Sequence, residues 1–384
     1  MKVALAHKRL DLKGGTERDL YRTAEGLRDL GHEVHLFCAE FGVKAPPGTF
    51  SHRIPVLPLG RTARLWSLAT WGPETIRKHR CDVVVGFGRM AEQDVIRSGG
   101  GTHREFLDRL GVDGGAQRRF WQGASIYHRS LLALEKRQFS FARLKNIIAV
   151  SKEVERDIMQ HYGVPAERIT VLYNGVDHER FRPSLRHQWR CLVRRELSIP
   201  EQAPVVLFVG NGFQRKGLDR LLAVWDSPPL RDAYLLVVGE DARSGQYRAH
   251  AKAVAGKRIV FAGRQEAVER YFGAADTVAL PSIQEAFGNV VLEGLCCGLP
   301  VVVARCVGAA EVLQGSMAQG VVDDRDNPSE LAQKITAQLR RSKEPVCREE
   351  ARRLGESYSW RNHFNKLESV LMEVLAAKQG ERVS

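Results

Sequence analysis

The sequence predicts an α/β protein of two domains, each built on a parallel sheet with crossover helices. Three observations predict it. The chain has 384 residues, too many for one ordinary core and suited to two domains of roughly 150 to 200 residues each. Short β-rich runs alternate with helical stretches, which is the sign of a parallel sheet. The alternation pauses once near the middle of the chain and then starts again.

The first series runs Val3 to Ala6 (strand), Glu17 to Leu30 (helix), Val34 to Phe37 (strand), Ala63 to Lys78 (helix) and Asp82 to Val85 (strand). The strand Ile147 to Val150 leads through Ser151, a suitable N-cap, into the helix Lys152 to His161. Ile169 to Leu172 then ends in the turn Asn174-Gly175-Val176-Asp177. The pause follows, from Phe181-Arg182-Pro183 through a basic stretch to Ile199-Pro200-Glu201-Gln202-Ala203-Pro204, and the hinge is placed here. The second series comprises Val205 to Val209, Gly217 to Trp225, Tyr234 to Val238, Arg258 to Phe261, Val268 to Ala274, Thr277 to Leu280, Val290 to Cys297 and Val301 to Val303. The expected domains are residues 1–184 and 185–359. The last stretch, about 360–384, spaces Leu367, Leu371 and Val374 helically and is expected to pack outside the second domain or back on the first.

Hydrophobic residues make up 43% and charged residues 27%, which excludes a disordered chain. The opening Met-Lys-Val-Ala-Leu-Ala-His-Lys-Arg is too quickly charged for a signal peptide, and no 18-residue apolar run follows, so a cytoplasmic location is expected. The 7 cysteines form no C-x-x-C pair and suit buried thiols in a reducing compartment. The net charge of +13 calls for an anionic partner. Between Arg97 and Lys145, ten Lys or Arg and four Asp or Glu interleave with Phe106, Phe120, Trp121, Tyr127, Phe139 and Phe141. That stretch is read equally as a membrane-surface patch and as solvated amphipathic helices.

Four segments carry chemistry. Gly14-Gly15 opens the first helix, where free N–H groups and the helix dipole favour an anion, although close packing alone also explains a Gly-Gly pair. Asp19, one turn further on, is a candidate acceptor contact. The basic turn Gly210 to Gly217 lies directly after strand Val205 to Val209, at the strand end where open α/β sheets bind ligands, and its Arg215 and Lys216 suit a diphosphate. The segment Pro281 to Glu293 follows the strand Thr277 to Leu280. Within it Gly288 and Asn289 open a helix, with Glu285 before that helix and Glu293 inside it. Two carboxylates thus flank an anion site, and a carboxylate accepts from sugar hydroxyls. Asp324-Arg325-Asp326 precedes Asn327-Pro328-Ser329-Glu330 and reads as a turn capping the next helix rather than a metal ligand pair.

The segment Glu285 to Glu293 resembles the E-x7-E motif of retaining glycosyltransferases of family 4. The resemblance continues in Gly14-Gly15-Thr16-Glu17-Arg18, in Val150-Ser151-Lys152 and Asn174-Gly175-Val176-Asp177, in Phe208-Val209-Gly210 with Arg215-Lys216-Gly217, and in Gly298-Leu299-Pro300-Val301-Val302. It implies the GT-B fold, two Rossmann-like domains facing across a cleft, with the nucleotide sugar held mainly by the second and the acceptor mainly by the first. On this resemblance Arg215 and Lys216 hold the diphosphate, Glu285 contacts the transferred sugar and Glu293 holds the ribose. Phe287, Gly288, Asn289 and Val290 face the sugar and phosphates, Arg264 lies near the base and Gly15 approaches the phosphates on closure. His103, in Gly99-Gly100-Gly101-Thr102-His103, resembles the histidine that many members place near the transferred sugar; a capping or core histidine is its bland reading. Retention of configuration follows from the resemblance, with no resident cofactor and no metal.

Among members, the chain looks most like bacterial envelope-polysaccharide enzymes, including the lipopolysaccharide-core glucosyltransferase group. The expected donor is UDP-glucose or another UDP-hexose, with GDP-mannose the rival. The expected acceptor is an anionic glycan or glycolipid, met peripherally at the cytoplasmic face of the inner membrane. An epimerase or phosphorylase of the same fold is a different class, but no lysine is set apart for the pyridoxal phosphate of a phosphorylase. A nucleic-acid-binding protein is suggested only by the charge and has no matching motif.

Overall fold

A computed structural model describes residues 1–12, 14–109 and 125–383. The chain folds as two compact units, one of residues 1–173 with 361–384 and one of residues 174–360.

In the first unit seven strands form one sheet: β1 (Lys2–Leu10), β2 (Glu33–Phe41), β3 (Phe50–Arg53), β4 (Val83–Gly86), β5 (Val95–Ser98), β6 (Asn146–Ala149) and β7 (Ile169–Val171). Their order is β3-β2-β1-β4-β5-β6-β7, and every pairing is parallel. Helices cover both faces, which is why the strands read as continuous apolar runs. Val3 and Leu5 face Leu20, Ala24 and Leu27 of α1 (Gly15–Asp29). Ala4 and Ala6 face Leu68 and Ile76 of α2 (Gly60–Arg77). Three helices follow: α3 (residues 103–109), α4 (Ile126–Phe139) and α5 (Lys152–Tyr162).

In the second unit the strands are β8 (Val205–Val209), β9 (Tyr234–Val238), β10 (Ile259–Gly263), β11 (Thr277–Leu280), β12 (Val301–Ala304) and β13 (Val321–Val322). Their order is β10-β9-β8-β11-β12-β13, again all parallel. Its helices are α6 (Leu185–Glu196), α7 (Phe213–Lys216), α8 (Leu218–Val224), α9 (Ser244–Ala255), α10 (Glu269–Ala274), α11 (Asn289–Cys296), α12 (Pro328–Arg341) and α13 (Pro345–Glu356). Both sheets are doubly wound about a reversal of strand order, between β1 and β4 and between β8 and β11. Ligands of such sheets bind beyond the carboxyl ends of the strands flanking that reversal.

The division between the units differs from the expected one in two places. It falls between 173 and 174, not after 184. The turn Asn174 to Asp177 and the segment after it belong with the second unit: Val176 N–H donates to Tyr358 O, and the Phe181 ring lies edge-on to Phe272. The supposed hinge is largely the helix α6, packed on α10 so closely that a Cβ at Gly273 would come 2.4 Å from Leu185 O. Its basic sequence hides a buried face of Leu185, Val193 and Arg194. The Arg194 guanidinium sits on Asp276 and the carbonyls of Ala274, Glu201 and Ala203.

The C-terminal helix α14 (Trp360–Val383) packs on the first unit, where Leu367, Leu371 and Val374 join the core beside α1. A Cβ at Gly26 of α1 would meet the Phe364 ring at 2.2 Å, so glycine is what lets the two helices close together. Strand β3, β13 and helix α13 have no counterpart in the sequence reading. β3 is an exposed edge with no apolar alternation, and β13 is two residues long.

Candidate functional site

In the second unit, β8 ends at Val209 and the chain turns through Gly210, Asn211 and Gly212 into the short helix α7. Phe213, fully buried against Phe208 and Tyr247, anchors this turn and leaves Arg215 and Lys216 above the strand ends. Gly217 follows at φ +81°, and a Cβ there would lie 1.9 Å from Pro281 O. The turn after β8 is therefore pressed against the turn after β11, and Ile283 N–H donates to Arg215 O at 2.8 Å.

That contact brings three predicted residues together. Arg215 Nη1 lies 2.6 Å from Glu285 Oε2 and 3.1 Å from Gln284 O, and Lys216 Nζ lies 3.0 Å from the same Glu285 oxygen. Burial by itself would raise the Glu285 pKa, but Lys216 and Arg215 outweigh it and hold the carboxyl below its ordinary range. The Arg215 side chain remains 37% exposed, so its fork is accessible from solvent while one nitrogen is engaged.

Downstream of Glu285, Phe287 is buried and its carbonyl accepts from Ala309 N–H, which fixes the approach to Gly288. Gly288, at φ +95°, is the N-cap of α11. The first N–H groups of a helix have no acceptor within it and sit at its positive end. Those of α11 belong to Asn289 and Val290 and emerge beside Glu285 in sequence and beyond the end of β11. Asn289 Oδ1 accepts from Asn174 Nδ2 at 2.8 Å. Glu293 lies half-buried inside α11. Arg264 is exposed just after β10, at the same carboxyl edge of the sheet. Asp324 to Asp326 form a turn: Asp326 N–H donates to Asp324, Asp326 binds Arg220, and Asn327 caps α12.

In the first unit, Gly14 is the N-cap of α1 and a Cβ on it would collide with Glu17. Gly15 is exposed, and a Cβ there would meet nothing among the described residues, so packing does not demand glycine at this position. Glu17 has a pKa pulled down to about 2 by the adjacent His7, whose Nε2 lies 3.5 Å from its Oε1, against the opposing effect of burial. Asp19, the candidate acceptor contact, is buried in an ion pair. It is 7% exposed, and both its oxygens take the guanidinium of Arg97, at 2.6 and 3.2 Å. Its Oδ2 nevertheless lies 3.6 Å from the Cβ position of Gly99, at the start of the glycine loop that leads to His103.

His103 begins α3, with the Thr102 hydroxyl accepting from Glu105 N–H as the cap. Its backbone N–H donates to Glu135, and its Nε2 shares a 3.0 Å hydrogen bond with His128 Nδ1. Burial, with help from Arg89 and His128, brings its pKa to about 4, so the imidazole is neutral at pH 7. Glu135 is the residue that sequence reading missed. Fully buried on α4, it accepts from the backbone of His103 and Arg104, from Tyr162 Oη, and from Arg89. A buried carboxylate at a helix N-terminus fixes that helix's position, but nothing in the sequence around Glu135 signals a partner so far away in the chain. Residues 110–124 of the basic, aromatic stretch, including Phe120 and Trp121, lie outside the described residues.

Residues 13–180 match the model of Glycosyltransferase Family 4, and residues 203–341 match that of Glycosyl transferases group 1. The lipopolysaccharide glucosyltransferase WaaG of Escherichia coli (strain K12) is 26% identical over 333 residues, covering 86% of this chain and 87% of that protein. A D-inositol 3-phosphate glycosyltransferase of Geodermatophilus obscurus is 32% identical over 240 residues, 59% of this chain and 52% of that one. The crystal structure of WaaG superposes with a TM-score of 0.79 at 24% identity, covering 96% of this chain and 99% of that one. The structure of Anabaena HepE in complex with UDP-glucose superposes with a TM-score of 0.70 at 19% identity, covering 97% and 100%. Two doubly wound units, each with its own matching glycosyltransferase domain, make this chain a GT-B glycosyltransferase, with a family 4 domain followed by a group 1 domain.

Proposed function

We propose that this glycosyltransferase moves a hexose from a UDP-sugar, UDP-glucose first among them, to a hydroxyl of an anionic envelope glycan such as a lipopolysaccharide core, with retention of configuration and without a metal ion. The observation that carries the reading is the meeting of Arg215, Lys216 and Glu285 beyond the carboxyl ends of β8 and β11. Two cations held by one carboxylate leave a net positive site beside the amino end of α11. A diphosphate fits there: Arg215 supplies a planar fork, Lys216 a point charge, and the Gly288, Asn289 and Val290 backbone a set of N–H donors. The leaving diphosphate gains charge as the glycosidic bond breaks, so groups aimed at it stabilise the transition state more than the ground state. These fixed cations supply the charge that a metal would otherwise bring.

In this reading Glu285, ionised and held by its cations, accepts from hydroxyls of the transferred sugar. Glu293 takes the ribose, Phe287 walls the sugar site, and Arg264 lies toward the base. Gly15 leaves its backbone open to the phosphates, neutral His103 accepts from a sugar hydroxyl, and Asp19 acts from beneath the glycine loop through Arg97. Acceptor and leaving oxygen share one face of the sugar, which gives retention. The UDP preference is supported by the HepE complex with UDP-glucose, and the glycan acceptor by the name of WaaG. The net charge of +13 suits a phosphorylated acceptor and peripheral work at the cytoplasmic membrane face; no helix among the described residues is long and apolar enough to cross a membrane. The similarity to D-inositol 3-phosphate glycosyltransferases favours a second acceptor class, a phosphorylated polyol.

The test is a thermal-shift panel of UDP, GDP, ADP and their sugar conjugates, with and without EDTA, followed by transfer assays on core glycans and inositol phosphate. A ligand that binds only the folded state must raise the melting point. A shift with UDP-sugars alone, unchanged by EDTA, and an α-linked product from an α-linked donor, support the reading. A shift with GDP-mannose alone moves the donor, and no shift with any nucleotide overturns the site.

A further inference from the structure

At the opposite end of the first sheet from the glycine loops, three imidazoles meet. His35 near the start of β2, His52 on the edge strand β3 and His79 just past the end of α2 each bring a ring nitrogen within 4.8 Å of the others. They come from three separate elements and are far apart in sequence. His35 is buried, whereas His52 and His79 are half-buried and reachable from solvent. We propose that His35, His52 and His79 form a binding site for a zinc-like divalent transition metal, which clips the edge strand β3 to β2 and the end of α2.

The hydrogen bonding prepares the set for a metal. His35 Nε2–H donates to Glu33 Oε1 at 2.8 Å, which fixes the tautomer and leaves the Nδ1 lone pair toward His52. A carboxylate behind a histidine is the usual outer partner of a metal ligand. His35 Nδ1 and His52 Nε2 are 2.8 Å apart. Two nitrogens on a tetrahedral zinc, each bound at about 2.0–2.1 Å, sit about 3.3 Å apart, so this pair opens by about 0.5 Å to admit the ion and the His79 nitrogen, within 4.8 Å, draws in to complete the set. The proton now shared by these nitrogens moves to His52 Nδ1. A shared proton accounts for that one pair, but not for the third ring, whose centroid is 3.9 Å from that of His52. Three imidazole nitrogens suit zinc, cobalt, nickel or copper rather than magnesium or calcium, which prefer oxygen. Lys2, 3.3 Å from Glu33, adds a cation behind the site.

The site is independent of sugar transfer, and its test reads metal rather than activity. The chain, prepared without a histidine tag, is titrated with Zn2+ against a chromophoric chelator and with Co2+ by visible absorption. The expected result is one equivalent bound, a raised melting point, and cobalt d–d bands without the thiolate charge-transfer band that a site using Cys81 would give. His52→Gln and His79→Gln each lose that equivalent, Glu33→Gln weakens it about 10- to 100-fold, and His161→Gln, at the separate Glu105, Asp108 and His161 cluster, leaves it intact. If His52→Gln does not fold, His79→Gln with an unchanged circular dichroism spectrum decides. Equal Zn2+ binding by wild type and His79→Gln, a thiolate band, or no binding by the wild type overturns the proposal.

Discussion

Arg215 Nη1 and Glu285 Oε2 lie 2.6 Å apart, joining the turn after β8 to the turn after β11 by an ion pair at the edge of the sheet where the strand order reverses. The pair positions the guanidinium before any ligand arrives, and Lys216 shares the same carboxylate. Arg215→Ala and Glu285→Gln are each expected to lower kcat/KM for transfer by about 100-fold or more, the cost of removing one preorganised group from developing charge. Circular dichroism and the melting point check that the fold survives. Near-wild-type transfer by either variant removes the residue from the site.

Gly217 is the backbone counterpart of that pair. With φ +81° and Pro281 O 1.9 Å from where a Cβ would stand, an alanine there must both strain the chain and push the two turns apart. Gly217→Ala is expected to cost about 1–3 kcal/mol from the backbone conformation alone, read by urea unfolding, and to weaken donor binding as Arg215 and Glu285 separate.

Asp276 holds the base of the second unit. It takes Arg194, Arg190, Arg186 and the Val205 N–H, and Arg194 is 1% exposed. Asp276→Ala leaves a guanidinium buried without its anion, and a loss of about 3–5 kcal/mol is expected. Chemical denaturation followed by tryptophan fluorescence measures it.

Asp157, on α5, has a carboxyl pKa raised to about 7 by burial, with Glu105 and Glu153 adding to it. Its folded value lies above its unfolded one, so its protonated form contributes stability that is present below pH 4 and lost as pH rises through about 7. Asp157→Asn is therefore expected to stabilise the chain above neutral pH, by up to about 4 kcal/mol, and to change little in acid. A melting point that differs from wild type equally at both ends of the pH range contradicts this.

His103 behaves in the opposite sense. Its pKa falls from 6.5 to about 4 through burial, so its neutral form contributes stability above pH 6.5 that is lost as pH falls through about 4. His103→Gln is expected to flatten the decline of stability across that window, measured by urea midpoints in steps of pH.

The sequence by itself determined the two parallel sheets, because strands covered on both faces must be apolar throughout, as in Val205 to Val209 and Val301 to Val303. It also singled out two turns, because Arg215-Lys216 after one strand, and Glu285 with a glycine-opened helix after another, are local patterns. It could not place the boundary near 174, because α6 reads as a basic linker until Arg194 is seen buried on Asp276. Only the tertiary structure decided that Arg215 and Lys216 share Glu285, that Asp19 is bound to Arg97, that Glu135 holds the loop of His103, and that His35, His52 and His79 meet. Each of those pairings joins residues from different elements. Hydrophobic periodicity specifies the elements, whereas packing and sheet order fix which side chains face one another.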